Sequence, residues 1–297
     1  MSDYIIDFPV NIGEILEGSA RKSGRLLAAC RTQEISWNGT RAYIVGANTP
    51  SFRQQYGDSV KNTDKKVAQF DMHTMPLTVC FRMAREQVEA AKENGTFEKI
   101  MAAKMAESLK EINKAVEYGI IHGYDLATGA VLTAYDHVNG SILKAIKTTN
   151  KAVTAKTYND LFIDASVALG DFDTTNFYAL PKTFAELYKE KDAQKVVMMD
   201  GTLSILGAPV TKLPELADCG NDEAYTFSLI AGDFSKIVWG VKPMSKGIEE
   251  VTAGDPDGLG DLGRRRELAY MFDIAYAWGI THPEAFCGAE KDPIVVG

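Results

Sequence analysis

Residues 96–123, TFEKIMAAKMAESLKEINKAVEYGIIHG, carry the longest helical pattern in the chain. Phe97, Met101, Leu109, Ile112, Val116 and Ile120 fall at multiples of a helical turn, with Ile100 and Met105 beside them, and draw one apolar stripe. Lys99, Glu107, Lys110, Glu111, Lys114 and Glu117 are assigned to the other faces. Gly95-Thr96 supplies a start, with Thr96 as side-chain cap and Glu98 suiting the positive helix end. Gly123 supplies a stop at the left-handed position after the last turn. At 1.5 Å per residue the stretch predicts a rod of about 37 Å, roughly twice the common helix length.

Upstream the period changes to two. Ile35 and Trp37 alternate with polar residues, Asn38-Gly39 suits a two-residue turn, and Thr40–Val45 is expected to pair back. Residues 46–66 have almost no aliphatic content, and Val67–Met83 then alternates as a second long strand. About twenty polar residues between strands exceed a routine connection, so 41–82 reads as an extended two-stranded projection without a core of its own. Its basic side chains, Arg41, Arg53, Lys61, Lys65, Lys66 and Arg82, stand against only Asp58, Asp64 and Asp71. They are the candidate contacts to an acidic partner surface; a solvated loop is the competing reading. Residues 1–32 mix Ile5, Ile6, Ile12, Ile15 and Leu16 with Pro9, Gly13 and Gly18, and end in Arg21, Lys22, Arg25 and Arg31. Such an arm docks on another element or a neighbouring subunit, or presents a solvated basic face.

Downstream, 127–150 reads as short strands with a turn at Asn139-Gly140. Tyr158–Leu169 and Lys182–Lys191, the latter opened by Pro181, read as helices. Strands are expected at Asn176–Leu180, Gly207–Leu213, Thr226–Ile230, Lys236–Val241 and Ile248–Val251, and a long one at Arg266–Ile280. A glycine–aspartate loop, read as flexible, occupies 254–263. The alternation of helix and strand in 155–240 suggests a compact α/β lobe.

With 297 residues, 45% hydrophobic and 24% charged, the chain has the make-up of an ordinary globular protein. A net charge of −8 argues against a dedicated nucleic-acid binder, and no apolar run reaches the ~18–20 residues of a membrane span. Cys30, Cys80, Cys219 and Cys287 lie far apart, which fits a reduced cytosolic protein without a zinc site.

The chemistry-bearing strings fail on context. Gly258-Leu259-Gly260-Asp261-Leu262-Gly263 is formally GxGxxG, but a turn precedes it, a strand pattern follows it, and Asp255, Asp257 and Asp261 would repel phosphate. A calcium loop would need an oxygen ligand where Leu259 stands and a bidentate Glu where Arg266 stands. Asp136-His137 has no GxSxG partner, and His73, His122 and His282 show no metal-ligand spacing. No catalytic, metal or cofactor residue is assigned.

Several strings follow one another in a telling order: the helix YNDLFIDASVAL, Leu180-Pro181-Lys182-Thr183-Phe184, Gly207-Ala208-Pro209-Val210 and Ala231-Gly232-Asp233-Phe234-Ser235-Lys236. The arginine-bearing strand Arg264–Ile280 and a closing His282-Pro283-Glu284-Ala285-Phe286 come after them. From about Arg41 to Phe286 the chain resembles the tailed-bacteriophage major capsid proteins of the Hong Kong 97 fold. The resemblance implies an α+β fold. Residues 1–40 would be the N-terminal arm and first hairpin, and 41–82 the extended β-hairpin called the E-loop. Residues 83–150 and 246–275 would form a peripheral domain with spine helix 96–123, and 151–245 and 276–297 an axial domain. It implies a structural protein, not an enzyme, that assembles as hexamers and pentamers into an icosahedral virion capsid around double-stranded DNA in the bacterial host cytoplasm. The implied partners are further copies of itself, a separate scaffolding protein, a portal, a decoration protein and DNA bound without sequence specificity; no membrane and no cofactor is implied. The fused scaffolding domain of some members has no counterpart, so scaffolding is expected from a separate protein or a removed leader. The Lys–Asn cross-link of other members is not assigned to Lys65 or Lys66. An encapsulin-like compartment with protein cargo, and an α/β enzyme using loop 254–263, are the rival readings.

Overall fold

The computed structural model describes residues 5–6, 24–36, 40–44, 68–72, 74–132, 140–189, 196–199, 202–217, 227–243 and 248–291. In chain order they form β1 (Ile5–Ile6), β2 (Arg31–Thr32), β3 (Thr40–Ile44), β4 (Ala68–Met72), β5 (Met75–Ala84), α1 (Arg85–Glu93), α2 (Phe97–His122) and α3 (Ile142–Thr149). Then come β6 (Ala152–Ala155), α4 (Tyr158–Leu169), β7 (Asn176–Ala179), α5 (Pro181–Lys189), β8 (Val196–Met199), β9 (Thr202–Ile205) and β10 (Ala208–Lys212). The chain closes with β11 (Leu229–Gly232), β12 (Ile237–Pro243), β13 (Ile248–Val251), α6 (Leu262–Arg265), β14 (Glu267–Ile280) and β15 (Phe286–Lys291).

The first sheet is built on β14. Its alternation puts Leu268, Tyr270, Phe272, Ile274, Tyr276, Trp278 and Ile280 in one buried cluster, which the apolar stripe of α2 joins. Strands run in the order β1-β13-β14-β12-β2, and β5 pairs antiparallel with β14 from Glu267↔Ala84 to Tyr276↔Met75. Met101, Met105, Leu109, Ile112, Val116 and Ile120 of α2 are all buried, as the periodicity predicts. At Gly119 the helix meets the sheet so closely that a Cβ would lie 2.9 Å from the Trp278 ring. Gly123 ends the helix at φ 76°, its N–H bonded to the Gly119 carbonyl at 2.8 Å. The start differs from expectation: Thr96 makes no side-chain cap, and its hydroxyl points back toward the Ala91 carbonyl. The last turns are buried on every side, and Glu117, expected on a polar face, is 3% exposed.

The second sheet is mixed, in the order β6-β15-β11-β7-β10-β9-β8, with β7–β10 and β15–β6 parallel. Helix α4 lays Leu161, Phe162, Ala165 and Leu169 on it, with Phe162 edge-on to Phe177 at 5.2 Å. Thr157 caps α4 by accepting the Asp160 N–H.

Several expectations are corrected. Thr40–Ile44, expected to pair back onto the Ile35 segment, pairs antiparallel with Ala68–Met72, with Arg41 opposite Asp71. Ile35 is buried and outside any strand, and the Asn38-Gly39 turn lies outside the described residues. The single strand expected over 67–83 is two, β4 and β5, with Thr74 between them donating its hydroxyl to the Ser36 carbonyl. Residues 142–149 are helical where strands were expected, because Ser141 caps them by accepting the Lys144 N–H and Ile142, Leu143 and Ile146 turn inward. The strand expected at 226–230 lies at Leu229–Gly232, and α1, the β8–β9 hairpin and β15 had no counterpart in the sequence reading. Strand β14 runs unbroken through the 275/276 boundary and pairs with β12, so one sheet spans both expected domains.

Candidate assembly surface

Strand alternation sends Met75, Leu77, Val79 and Phe81 of β5 toward the core and leaves Arg82 with the opposite set. Arg82 faces the glycine–aspartate loop. Its Nε donates to both oxygens of Asp257 at 3.0 and 2.9 Å, and Nη2 donates to Asp255 at 3.0 Å and closely to Asp257. Nη1 donates to the Gly260 carbonyl at 2.9 Å and to Glu267 at 3.1 Å. The hydrogen bonds from Arg82 hold the Asp257 carboxyl below its ordinary range. The loop reading changes accordingly. Residues 254–263 are fastened to β5, and two of the three charges that would repel phosphate, Asp255 and Asp257, are matched by an arginine of the same chain.

Several amide hydrogens in and beside the loop are also committed. The Leu259 N–H donates to Asp257 at 3.3 Å, Gly260 to Asp255 at 2.9 Å and Arg264 to Asp261 at 2.9 Å. Gly258 and Gly260 adopt φ of 75° and 107°, which allow the chain to fold back on these carboxylates. Helix α6 is four residues long and starts on Asp261, so it offers no anion site. What the loop presents outward is Leu259, 61% exposed.

Between α2, β5 and the turn at 124–132 lies an apolar groove of about 1020 Å³. Leu77, Val79, Ile112, Val116, Tyr276 and Trp278 line its depth, and Lys104, Glu107, Glu111 and Asp125 stand at its margin. Trp278 donates its indole N–H to the Gly140 carbonyl at 2.9 Å. The Tyr276 hydroxyl is buried without a hydrogen-bond partner, and burial pushes its pKa up. The rim carries Leu126, 37% exposed. Sequence reasoning missed this groove, because Tyr276 and Trp278 of the distant β14 complete a lining that β5, α2 and the following turn begin.

The other candidate residues divide. Arg41 sits on the β3–β4 ribbon, whereas Arg53, Lys61, Lys65 and Lys66 lie outside the described residues. Arg82, counted with them, directs its guanidinium at its own chain. His122 is buried and donates Nε2–H to the Glu215 carbonyl at 2.9 Å; His73 and Asp136-His137 lie outside the described residues. Among the described residues no group of three or more His, Cys, Asp or Glu is placed to hold a metal ion, and no helix is long and apolar enough to cross a membrane.

A sheet centred on one long strand, a buried-ended long helix across it and a second mixed sheet define the class to which the chain's fold belongs, that of phage capsid structures. Among solved structures it is similar to that of Gordonia phage Cozz, with a TM-score of 0.64 and 17% identity over 91% of this chain and 87% of that one. Mycobacterium phage Ogopogo gives 0.63 and 17% over 91% and 92%, and the capsid of an empty GTA particle 0.63 and 12% over 91% and 90%. No protein-family model and no curated protein matches the chain. At these identities the likeness is one of fold.

Proposed function

We propose that this chain is a major capsid protein that assembles as hexamers and pentamers into an icosahedral shell around double-stranded DNA. One observation carries the reading: the similarity to capsid structures extends over 91% of this chain and 90% of the GTA capsid chain. In this reading α2 is the spine helix, and the first sheet with α1 and α2 forms the peripheral domain. The second sheet with α4 and α5 forms the axial domain. Strands β3 and β4 are the base of the E-loop, whose tip comprises residues 45–67.

The charges suggest where that tip goes. Arg53, Lys61, Lys65 and Lys66 are basic, and at the α2–β5 groove Glu107, Glu111 and Asp125 outnumber Lys104. The margin of this groove on one subunit therefore suits the basic hairpin of the next, with charge setting approach and register. A net charge of −8 lets a shell enclose DNA without gripping it. Scaffolding, portal and decoration proteins complete the proposed set of partners, in a virion assembled in the host cytoplasm.

Sedimentation velocity of purified particles, with nuclease-protected nucleic acid measured in the same fractions, tests the reading. Fast-sedimenting closed particles holding DNA support it. Particles that hold a co-purified enzyme instead would replace it with a protein-cargo compartment.

A further inference from the structure

The buried end of α2 holds a carboxylate that neither the fold class nor the proposed function uses. Glu117 is 3% exposed, and its Oε1 accepts the backbone N–H groups of Leu26 at 2.7 Å and Leu27 at 3.1 Å. These amides open the short 3-10 turn Leu27–Ala29 at the root of the N-terminal arm, so a side chain about ninety residues away caps that turn. The arm root has other fastenings in the same place. Arg25 gives its carbonyl to the Tyr178 hydroxyl at 2.8 Å and its Nη1 to the Lys212 carbonyl at 3.2 Å.

The surroundings of Glu117 oppose its charge. Glu215, on the 3-10 turn Pro214–Leu216, has a side chain only 12% exposed, and its Oε2 is buried without a hydrogen bond. Among the described residues the cation paired with that oxygen, Arg25, stands at 3.7 Å and is itself 47% exposed. Cys30 turns its thiol to the Leu26 carbonyl, and burial and Glu117 together push that thiol's pKa up. Tyr178, from β7, is pushed up by burial, then by Cys30 and Glu117. His122, one turn further along α2, is occupied with the Glu215 carbonyl and contributes its neighbouring ring to Tyr118.

We propose that Glu117 is a proton-operated latch, which holds the arm root Arg25–Cys30 against α2 more tightly when it carries a proton than when it is ionised. This device does not depend on the capsid reading. Burial is the main cause that raises the Glu117 pKa to about 7 from an ordinary 4.5; the Glu215 charge adds to it, and the Leu27 and Leu26 N–H groups act against it. With the arm root released, the carboxyl meets water and returns toward its ordinary value. The docked state therefore binds more protons between those two values. Docking weakens as pH rises through the interval and is constant above it. Across pH 5 to pH 8 the linkage gives a change in the docked-to-released ratio of between roughly tenfold and a few hundredfold.

Amide hydrogen exchange on the full-length, unassembled subunit reads this directly, with each rate divided by its intrinsic rate at the same pH. The protection factors of Leu26 and Leu27 are expected to fall at least roughly tenfold from pH 5 to pH 8 in the wild type. They are expected to stay level in Glu117→Gln. Ile230 and Ala231, in the second sheet, serve as a reference that pH leaves unchanged. A wild-type profile that is flat, or a Glu117→Gln profile with the same fall, overturns the latch. If Glu117→Gln does not fold, carbon-13 titration of the Glu117 carboxyl in the wild type decides instead: a midpoint above 6 supports the latch, and a midpoint near 4.5 overturns it.

Discussion

Replacing Leu109 by Asp tests whether the apolar stripe of α2 is the element on which the subunit is built. Leu109 is 5% exposed and belongs to the cluster that joins α2 to β14, whereas Lys110, one residue on, is exposed. Removing a buried leucine side chain alone costs about 2–5 kcal/mol. A carboxyl left in its place stays neutral only by raising its pKa, and a rise of about three units adds roughly 4 kcal/mol near neutral pH. The sum, about 6–9 kcal/mol, is comparable to the whole stability of a typical domain, about 5–15 kcal/mol. Lys110→Asp exchanges helix propensities that differ by a few tenths of a kcal/mol and places a carboxylate one turn before Lys114, so its net cost is below about 1 kcal/mol. Urea unfolding followed by circular dichroism measures both, with Leu109→Ala as an intermediate expected to fold with a lowered midpoint. Leu109→Asp should be insoluble or unfolded and Lys110→Asp close to wild type. Equal midpoints for the two Asp variants would refute the assignment of the buried face.

Replacing Ala47–Lys65 by a short Gly-Ser turn should leave a soluble, cooperatively melting subunit that no longer closes into shells, and sedimentation velocity would expose the error if closed particles persist. Reversing the charge of Lys65 and Lys66 should slow assembly more at low salt than at high salt, as followed by light scattering. Arg82→Ala should release loop 254–263, seen as faster amide exchange at Leu259 and Gly260, and neither it nor the wild type should bind NAD or ATP in calorimetry; saturable binding would restore the nucleotide reading. Ser141→Ala removes the cap on α3 and should cost about 1 kcal/mol in urea unfolding, with no loss meaning that the Lys144 N–H finds another acceptor.

The elements that could be read from the sequence are those with a sustained period. Helix α2 and strand β14 each repeat their pattern over more than ten residues, and α4 has a cap and a four-residue rhythm. Helix α3 was missed because eight residues rich in isoleucine and threonine carry a strand-like composition, and only Ser141 signalled the start. The two polar side chains that matter most were misplaced for one reason: their partners are remote. Glu117 looks like a surface glutamate until Leu26 and Leu27, about ninety residues earlier, are brought to it. Arg82 looks like a free cation until Asp255, 173 residues later, is folded against it. The groove has no linear signature, since β5, α2 and β14 form it together.

Electron microscopy of the purified protein tests the central claim most directly. The assembly reading predicts closed shells, tubes or ring-shaped capsomers in a negative-stain image, whether or not a scaffolding protein is supplied. Only isolated particles of the 32.5 kDa subunit, at every protein concentration and salt tried, would contradict it.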